Sequence, residues 1–518
     1  MFDNNSIHML YKFQGRGTLF LLFKKAHERK MRRAQTIIDD LEDEVDPQPP
    51  VPLSKRGKFQ AKKNYDSAHM YPTIQMKLNK ILYDPFSKEI SSLLDNTSYK
   101  ISLIVYEAYL LANFHFVRML REGKDLPELT QSFFASCCYL VAELATKAGQ
   151  SQPNLRDSAE QYRLTRPNGW MEVGAQNLGG AIASASREMK TMAENHIVVN
   201  LLPRLVRYVR LKYSLSDNRT AELFIRCAFM DKALTEQQQE FKAWIDFNPC
   251  FENQVRKHLC HFIKKLADVL EFYQGLDANT KGVCFFSLLP LKGSYVQMFF
   301  VVDPTTLPEL LNLLPRDVQK QIITKMLEGF PDEESDEAKF LLVRKKARAS
   351  FNRDFQKLDR VKYALWRCLF NVKQFETQRR KFASILSTNG YAVTVSMHVP
   401  KAERLEEGYD PSSVAIGKEA EFDQFIGIDP GGTYVCTAFN GDTCKQVSTK
   451  ELRHHSKMNE RTLWDVKQRK YHVEYSRTLE QLPSLKTASF DQFRQRVRET
   501  LTHAQFLFWF SRRPVFRS

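Results

Sequence analysis

Apolar positions change spacing several times along this chain. From about residue 76 to 280 they recur with a helical period: Leu103, Val105, Ala108, Leu111 and Ala112 fall near one face, and Leu201, Leu205, Val206 and Val209 near another. The longest apolar run, Ile101 to Phe116, is interrupted by Glu107 and His115 and falls short of the roughly 20 residues of a membrane span, so it predicts a buried core helix. Between 283 and 302 the period shortens. Val283–Leu289 and Tyr295–Val302 are β-rich, with turn residues Pro290 to Ser294 between them, which predicts a hairpin. Helical spacing returns from 306 to about 387, and Tyr391–Val399 predicts a strand. A last β-rich stretch runs through Phe425–Asp429, breaks at Pro430-Gly431-Gly432, resumes as Thr433–Phe439, turns at Asn440-Gly441 and returns to Thr449. Asn-Gly between β-rich runs is a hairpin signal because both residues tolerate positive φ. Helix-prone segments follow at Glu460–Tyr475 and Ser489–Phe510.

The flanks and connections read differently. Residues 1–75 alternate basic clusters (Arg29 to Arg33, Lys55 to Lys58), an acidic run (Asp39 to Asp46) and a Pro-rich run (Pro47 to Pro52) without apolar period, which predicts a disordered charged leader. Its basic clusters suit either a nuclear localisation signal or a solvated tail. Residues 400–424 are charged and hold Gly408, Pro411 and Ser412-Ser413, and mark a boundary. The predicted organisation is α+β: the leader 1–75, a largely helical lobe 76–415 with β-strands near 283–302 and 391–399, and a final segment 421–518.

Composition narrows the partners. Lys and Arg number 76 against 60 Asp and Glu, a net charge of +16, which favours a polyanionic partner held by salt-sensitive contacts to phosphate, although basic proteins without such a partner share this balance. The nine cysteines contain no Cys-x-x-Cys pair and form no disulfide framework, which suits a reducing compartment. Leu19–Phe23 is too short for a signal core and precedes its basic cluster, so a nuclear or cytoplasmic protein, not secreted and without a membrane, is expected.

Two basic motifs are candidate nucleic-acid contacts. Arg204, Arg207 and Arg210 recur every three residues as a stripe on one predicted helix. The densest cluster is Arg344, Lys345, Lys346, Arg348, Arg353, Lys357 and Arg360, interleaved with Phe351, Phe355, Leu358 and Tyr363. Aromatics among cations suit RNA, and they equally suit an amphipathic helix with its aromatics inward. Cys250, His258, Cys260 and His261 are metal-binding residue types, but Cys260 and His261 are adjacent on a predicted helix and diverge by about 100°, against a zinc site.

Asp429 is the candidate catalytic residue. Hydrolysis of a phosphodiester at neutral pH is served by two metal ions roughly 4 Å apart held by carboxylates, and Mg²⁺ prefers oxygen ligands. Asp before Pro-Gly is also an ordinary turn residue. The stretch Phe425-Ile426-Gly427-Ile428-Asp429-Pro430-Gly431-Gly432, with Val447-Ser448-Thr449-Lys450-Glu451-Leu452-Arg453-His454-His455-Ser456, resembles the start of the ribonuclease-H-like RuvC domain of Fanzor proteins, eukaryotic transposon-derived relatives of TnpB and type V CRISPR effectors. Upstream pieces Leu365–Phe370, Phe382–Ile385 and Thr388–Val393 are similar to segments that precede that domain, and Leu482–Thr487 and Arg512–Arg517 to later ones.

The resemblance implies an RNA-guided DNA endonuclease with a helical recognition lobe, RNA and DNA as partners, Mg²⁺ as cofactor and Asp429 as its first ligand. It also implies a later Glu, a four-cysteine zinc element and a second Asp, which residues up to Ser518 do not supply. Asp442, thirteen residues beyond Asp429 along a strand and its turn, is too distant to stand in. Strand alternation turns Glu451 to the opposite face unless Gly431-Gly432 forms a bulge. The expectation is a catalytically incomplete, truncated relative that binds nucleic acid without cutting it. Phe506 to Phe510 is then expected to be an exposed apolar end. The alternatives are a plain RNA- or DNA-binding protein and an actin-like ATPase or sugar kinase, whose first phosphate motif Gly427–Thr433 also resembles.

Overall fold

A computed structural model describes residues 73–142, 152–170, 173–230, 233–277, 280–330, 336–348, 351, 355, 358–377, 380–398, 427–429, 434–439, 444–456, 458–487 and 489–513. The charged leader predicted over 1–75 lies outside them except for its last three residues. The chain divides into two compact units, Met70–Pro400 with Arg477–Ser518, and Lys401–Ser476 with Met1–His69.

In the larger unit β1 (Thr73–Lys77) leads into α1 (Ser87–Arg121), α2 (Gln131–Val141), α3 (Pro153–Arg163) and the long α4 (Gly179–Lys212). Then come α5 (Asn218–Cys227), α6 (Glu236–Ile245), α7 (Glu252–Lys257), α8 (Leu259–Gln274), β2 (Phe300–Val302), α9 (Thr306–Leu311), α10 (Arg316–Glu328), α11 (Asp336–Arg348), α12 (Asp359–Leu369), β3 (Lys381–Thr388) and β4 (Ala392–His398). The smaller unit holds β5 (Gly427–Asp429), β6 (Tyr434–Phe439), β7 (Cys444–Ser448), α13 (Thr449–His455) and α14 (Met458–Tyr471). Helix α15 (Val473–Gln481) spans the division, and α16 (Phe490–Ser511) belongs to the larger unit.

Helix α1 is the axis of the larger unit. Every residue from Ile101 to Arg118 is buried, because α2, α3, α4 and α16 all pack on it. A helix apolar all round needs such enclosure. It is long and apolar enough to cross a membrane, yet 94% of its most apolar window lies inside the protein. Charged and polar side chains within the buried run find partners in the core. Arg166 Nε donates to Glu107 Oε1 at 3.0 Å and the Glu107 carboxyl is nonetheless raised in pKa, because burial outweighs the guanidinium. His115 Nδ1 lies 2.8 Å from Ser158 Oγ.

The same helix explains why 283–302 is no hairpin. Among the described residues only Phe300–Val302 of this stretch is strand, and it pairs with β3 instead of with the preceding run. The backbone of the rest is claimed by side chains of α1. Leu289 N donates to Asn113 Oδ1 at 3.2 Å, and Asn113 Nδ2 donates to Pro290 O at 3.2 Å. Met298 N donates to Ser102 Oγ and Ser98 Oγ donates to Met298 O, each at 2.9 Å. Backbone groups need partners, and here the helix supplies them in place of a second strand.

The strands form an antiparallel sheet in the order β1-β4-β3-β2. Two of its members correct the sequence expectation: Thr73–Lys77 straddles the boundary between the predicted leader and the helical lobe, and Lys381–Thr388 falls at the end of predicted helix. The signal in the second case is alternation, since Phe382, Ser384, Leu386 and Thr388 are buried in turn. The turn to β4 is Asn389-Gly390. Asn389 Oδ1 accepts from Ala392 N at 2.9 Å, Gly390 takes φ +84°, and a Cβ there would overlap the Asp95 backbone.

Residues 477–513 also depart from expectation. The sequence pattern groups them with 421–476 as one nuclease-like segment, but they pack with the larger unit. Phe490, Phe493, Val497, Leu501, Ala504 and Phe508 recur at helical spacing along α16, and all are buried. Phe490 meets Phe114 at 4.9 Å between ring centroids, and Phe508 meets Tyr106 at 5.3 Å. The run Phe506–Phe510 is therefore a core seam with one exposed ring, Trp509, and not a free apolar end.

Candidate nucleic-acid interface

The smaller unit builds its sheet from local signals. The strands run β5-β6-β7, all antiparallel, and the predicted turn Asn440-Gly441 falls in the sequence between the last two. Asp429 closes β5 opposite Thr437, and Thr437 is opposite Gln446 of β7. One row across the sheet thus reads Asp429, Thr437, Gln446. Strand β7 ends at Ser448, whose Oγ accepts from Glu451 N at 3.0 Å and caps α13. Ser-x-x-Glu is a helix-start pattern, a signal present in the sequence. Glu451 therefore does not sit on a strand, as the alternation argument assumed. It is an exposed first-turn residue of a helix, 3.9 Å from His455 Nε2. His454 and His455 are both exposed, and Asp442 lies outside the described residues.

The row containing Asp429 carries no second carboxylate, and Glu451 belongs to a helix start. Among the described residues no three His, Cys, Asp or Glu form a metal-holding group. His258 instead stacks on Phe247 at 3.7 Å, His261 Nε2 lies 2.8 Å from Ile245 O, and Cys260 Sγ donates to Pro127 O at 3.3 Å.

The first basic stripe is largely covered. Arg204 donates to His196 Nε2 at 2.9 Å and lies 4.1 Å from the Phe286 ring centre. Burial lowers its pKa to about 10. Arg210 packs so closely on Gly282 (φ +100°) that any Cβ there would overlap its guanidinium. Only Arg207 of the three is exposed. Arg204 and Arg210 pack on Phe286 and Gly282 of the segment that follows α8, and helical spacing alone cannot show that a loop lies over them.

The second cluster divides by face. On α11, Arg344, Lys346 and Arg348 are exposed, whereas Lys345 is 2% exposed and does not face solvent. Arg360 is exposed on α12; Arg353 and Lys357 lie outside the described residues. Two of the interleaved aromatics point inward, Phe351 and Phe355, each 1% exposed with ring centroids 5.0 Å apart, while Tyr363 is half-buried beside Lys362 and Arg367. Phe340 faces solvent, 66% exposed and one turn before Arg344. Positions 340, 344 and 348 therefore form one open stripe of an aromatic and two cations. The sequence reading misses Phe340 because it precedes the cluster; its i, i+4 relation to Arg344 is the signal that could have found it.

No family model matches the chain, and no curated protein matches it.

Proposed function

We propose that this protein binds single-stranded or structured RNA, as a nucleic-acid-binding relative of the transposon-derived, RNA-guided DNA endonucleases of the Fanzor and TnpB kind, without completing a RuvC-type metal site. The observation that carries the binding is the open stripe on α11. Arg344 and Arg348 offer forked donors to phosphate, and Phe340 offers a face on which a base can stack. The net charge of +16 supplies the wider attraction. The kinship is supported by the antiparallel β5-β6-β7 order with Asp429 at the end of its first strand and a helix directly after its third, which is how a ribonuclease-H-like domain begins.

The test is fluorescence anisotropy of a labelled structured RNA against the full chain over a salt series. The triple variant R344E/K346E/R348E should flatten the log–log salt slope by roughly 2, at about 0.7 for each phosphate no longer neutralised. Lys345 is left unchanged because it is buried. A slope near zero in the unmodified protein would overturn the proposal.

A further inference from the structure

Helix α11 turns one face inward and leaves the other open. Ala338, Leu342 and Lys345 are buried, on the helix against which α10 and α12 pack. On the opposite side Phe340 is 66% and Val343 56% exposed, and Ala347 is exposed as well. These three are spaced three and then four residues apart, the a, d, a spacing of a coiled-coil seam. At about 100° per residue they cover an arc of roughly 60°, narrower than the roughly 100° stripe of a helix that faces a core. Arg344 and Arg348 flank the seam on one side and Lys346 on the other, all exposed. Among the described residues none of the three pairs with a carboxylate. The exposed Glu337 stands about two turns before Arg344, at the start of the helix.

Seam and flanks together select an occupant. A lipid surface takes a wide apolar face. An RNA strand carries its phosphates along one line, so it engages one flank together with Phe340. Cations on both sides of a narrow seam fit a second helix whose own seam lies between acidic flanks. The sequence holds a segment with that pattern. In the leader, otherwise without apolar period, Ile38, Leu41 and Val45 repeat the spacing of three and then four. On a helix, Glu42 and Asp46 would flank their seam on one side and Glu44 on the other. The two patterns coincide position by position. Ile38, Leu41 and Val45 match Phe340, Val343 and Ala347, and Glu42, Glu44 and Asp46 match Arg344, Lys346 and Arg348. Opposite charges at flanking positions set partner choice between helices. Residues 47–72 tether the segment to β1 and extend up to about 85 Å, so it reaches surfaces well away from that strand.

We infer that α11 docks the acidic segment 38–46 of this chain along its seam, and that the docked segment excludes RNA from Phe340, Arg344 and Arg348. Ordering a charged segment on binding costs entropy, so the contact is weak and displaceable. The tether offsets this by holding the segment at an effective concentration on the order of millimolar. The exclusion of RNA rests on the RNA-binding function proposed above; the docking itself does not.

The experiment uses a labelled peptide of residues 34–47 and the full chain carrying L41S/V45S, which frees α11 of its own segment. The peptide should bind that chain about tenfold more tightly than it binds the unmodified chain, whose own segment competes. Adding R344E/K346E/R348E should abolish binding, and a peptide carrying E42R, E44K and D46R should bind the charge-reversed chain. A peptide carrying L41S, equal in charge, should bind about tenfold more weakly, since it loses one buried leucine. L41S/V45S should also bind labelled structured RNA about five- to tenfold more tightly than the unmodified chain. Thermal midpoints report folding of each variant. If the peptide does not bind at about 1 mM, or the L41S peptide binds as well as its parent, the docking is overturned. If the peptide docks on α11 but R344E/K346E/R348E leaves RNA affinity and its salt slope unchanged, the docking stands and RNA binding on α11 falls. If RNA binding depends on α11 yet L41S/V45S leaves it unchanged, the exclusion is overturned while RNA binding stands.

Discussion

Replacing Phe508 with alanine tests whether the C-terminal helix is part of the larger unit's core. Phe508 is 1% exposed and sits edge-on to Tyr106 at 5.3 Å and to Tyr295 at 5.4 Å between ring centroids. Losing the buried ring removes about 1.5–3 kcal/mol of apolar burial. The two edge-to-face pairs add about 0.5–1.5 kcal/mol each. Both partner rings are held from other elements, Tyr106 on α1 and Tyr295 in the loop before β2, so the space closes incompletely. The expected cost is about 3–5 kcal/mol, the range for a phenylalanine removed from a close-packed site. The assay is equilibrium urea unfolding followed by tryptophan fluorescence, where Trp366, 1% exposed in the larger unit, reports the relevant transition. Trp509→Ala is the control: one residue along the same helix and 53% exposed, it should cost under about 1 kcal/mol. A Phe508→Ala cost below about 1 kcal/mol, or one equal to the control, would refute the packing of α16 on α1.

Two further outcomes are expected. Burial, then the neighbouring Arg118, lowers the His115 pKa to about 4, and burial with Arg204 does the same at His196. Between about 6.5 and about 4 the unfolded chain binds more protons at these sites than the folded one, so their contribution to stability is level above about 6.5 and is lost as pH falls through that window. His115→Gln should reduce the fall in thermal midpoint between about pH 7 and about pH 4.5, and an unchanged fall contradicts the assignment. Second, purified protein with Mg²⁺, a guide RNA and target DNA should cut no faster than its Asp429→Ala variant; guide-dependent cleavage abolished by that substitution would show that other carboxylates complete the site.

What the sequence determined by itself was local. The strands around Asn440-Gly441, the strand after Asn389-Gly390 and the helical texture from 76 to 280 follow from side-chain period and turn chemistry, which belong to neighbouring residues. The burial of Ile101–Phe116 was legible too, since an apolar stretch of that length interrupted by Glu107 has few other places to go. The +16 charge pointed to a polyanion without saying which cations meet it. Only the tertiary structure decided the rest. The β-rich run 283–299 forms no hairpin because Asn113, Ser98 and Ser102, about 180–200 residues away, take its backbone groups. Arg204 and Lys345 look like solvent-facing cations until a loop or a core covers them, and Phe506–Phe510 looks like an exposed end until α1 receives it. Ser448 decides Glu451 in the same way, by turning a candidate strand position into the first turn of a helix. Periodicity fixes which face a residue occupies. Which distant segment covers that face depends on where the fold leaves apolar surface and backbone groups to be satisfied, and no local pattern encodes that.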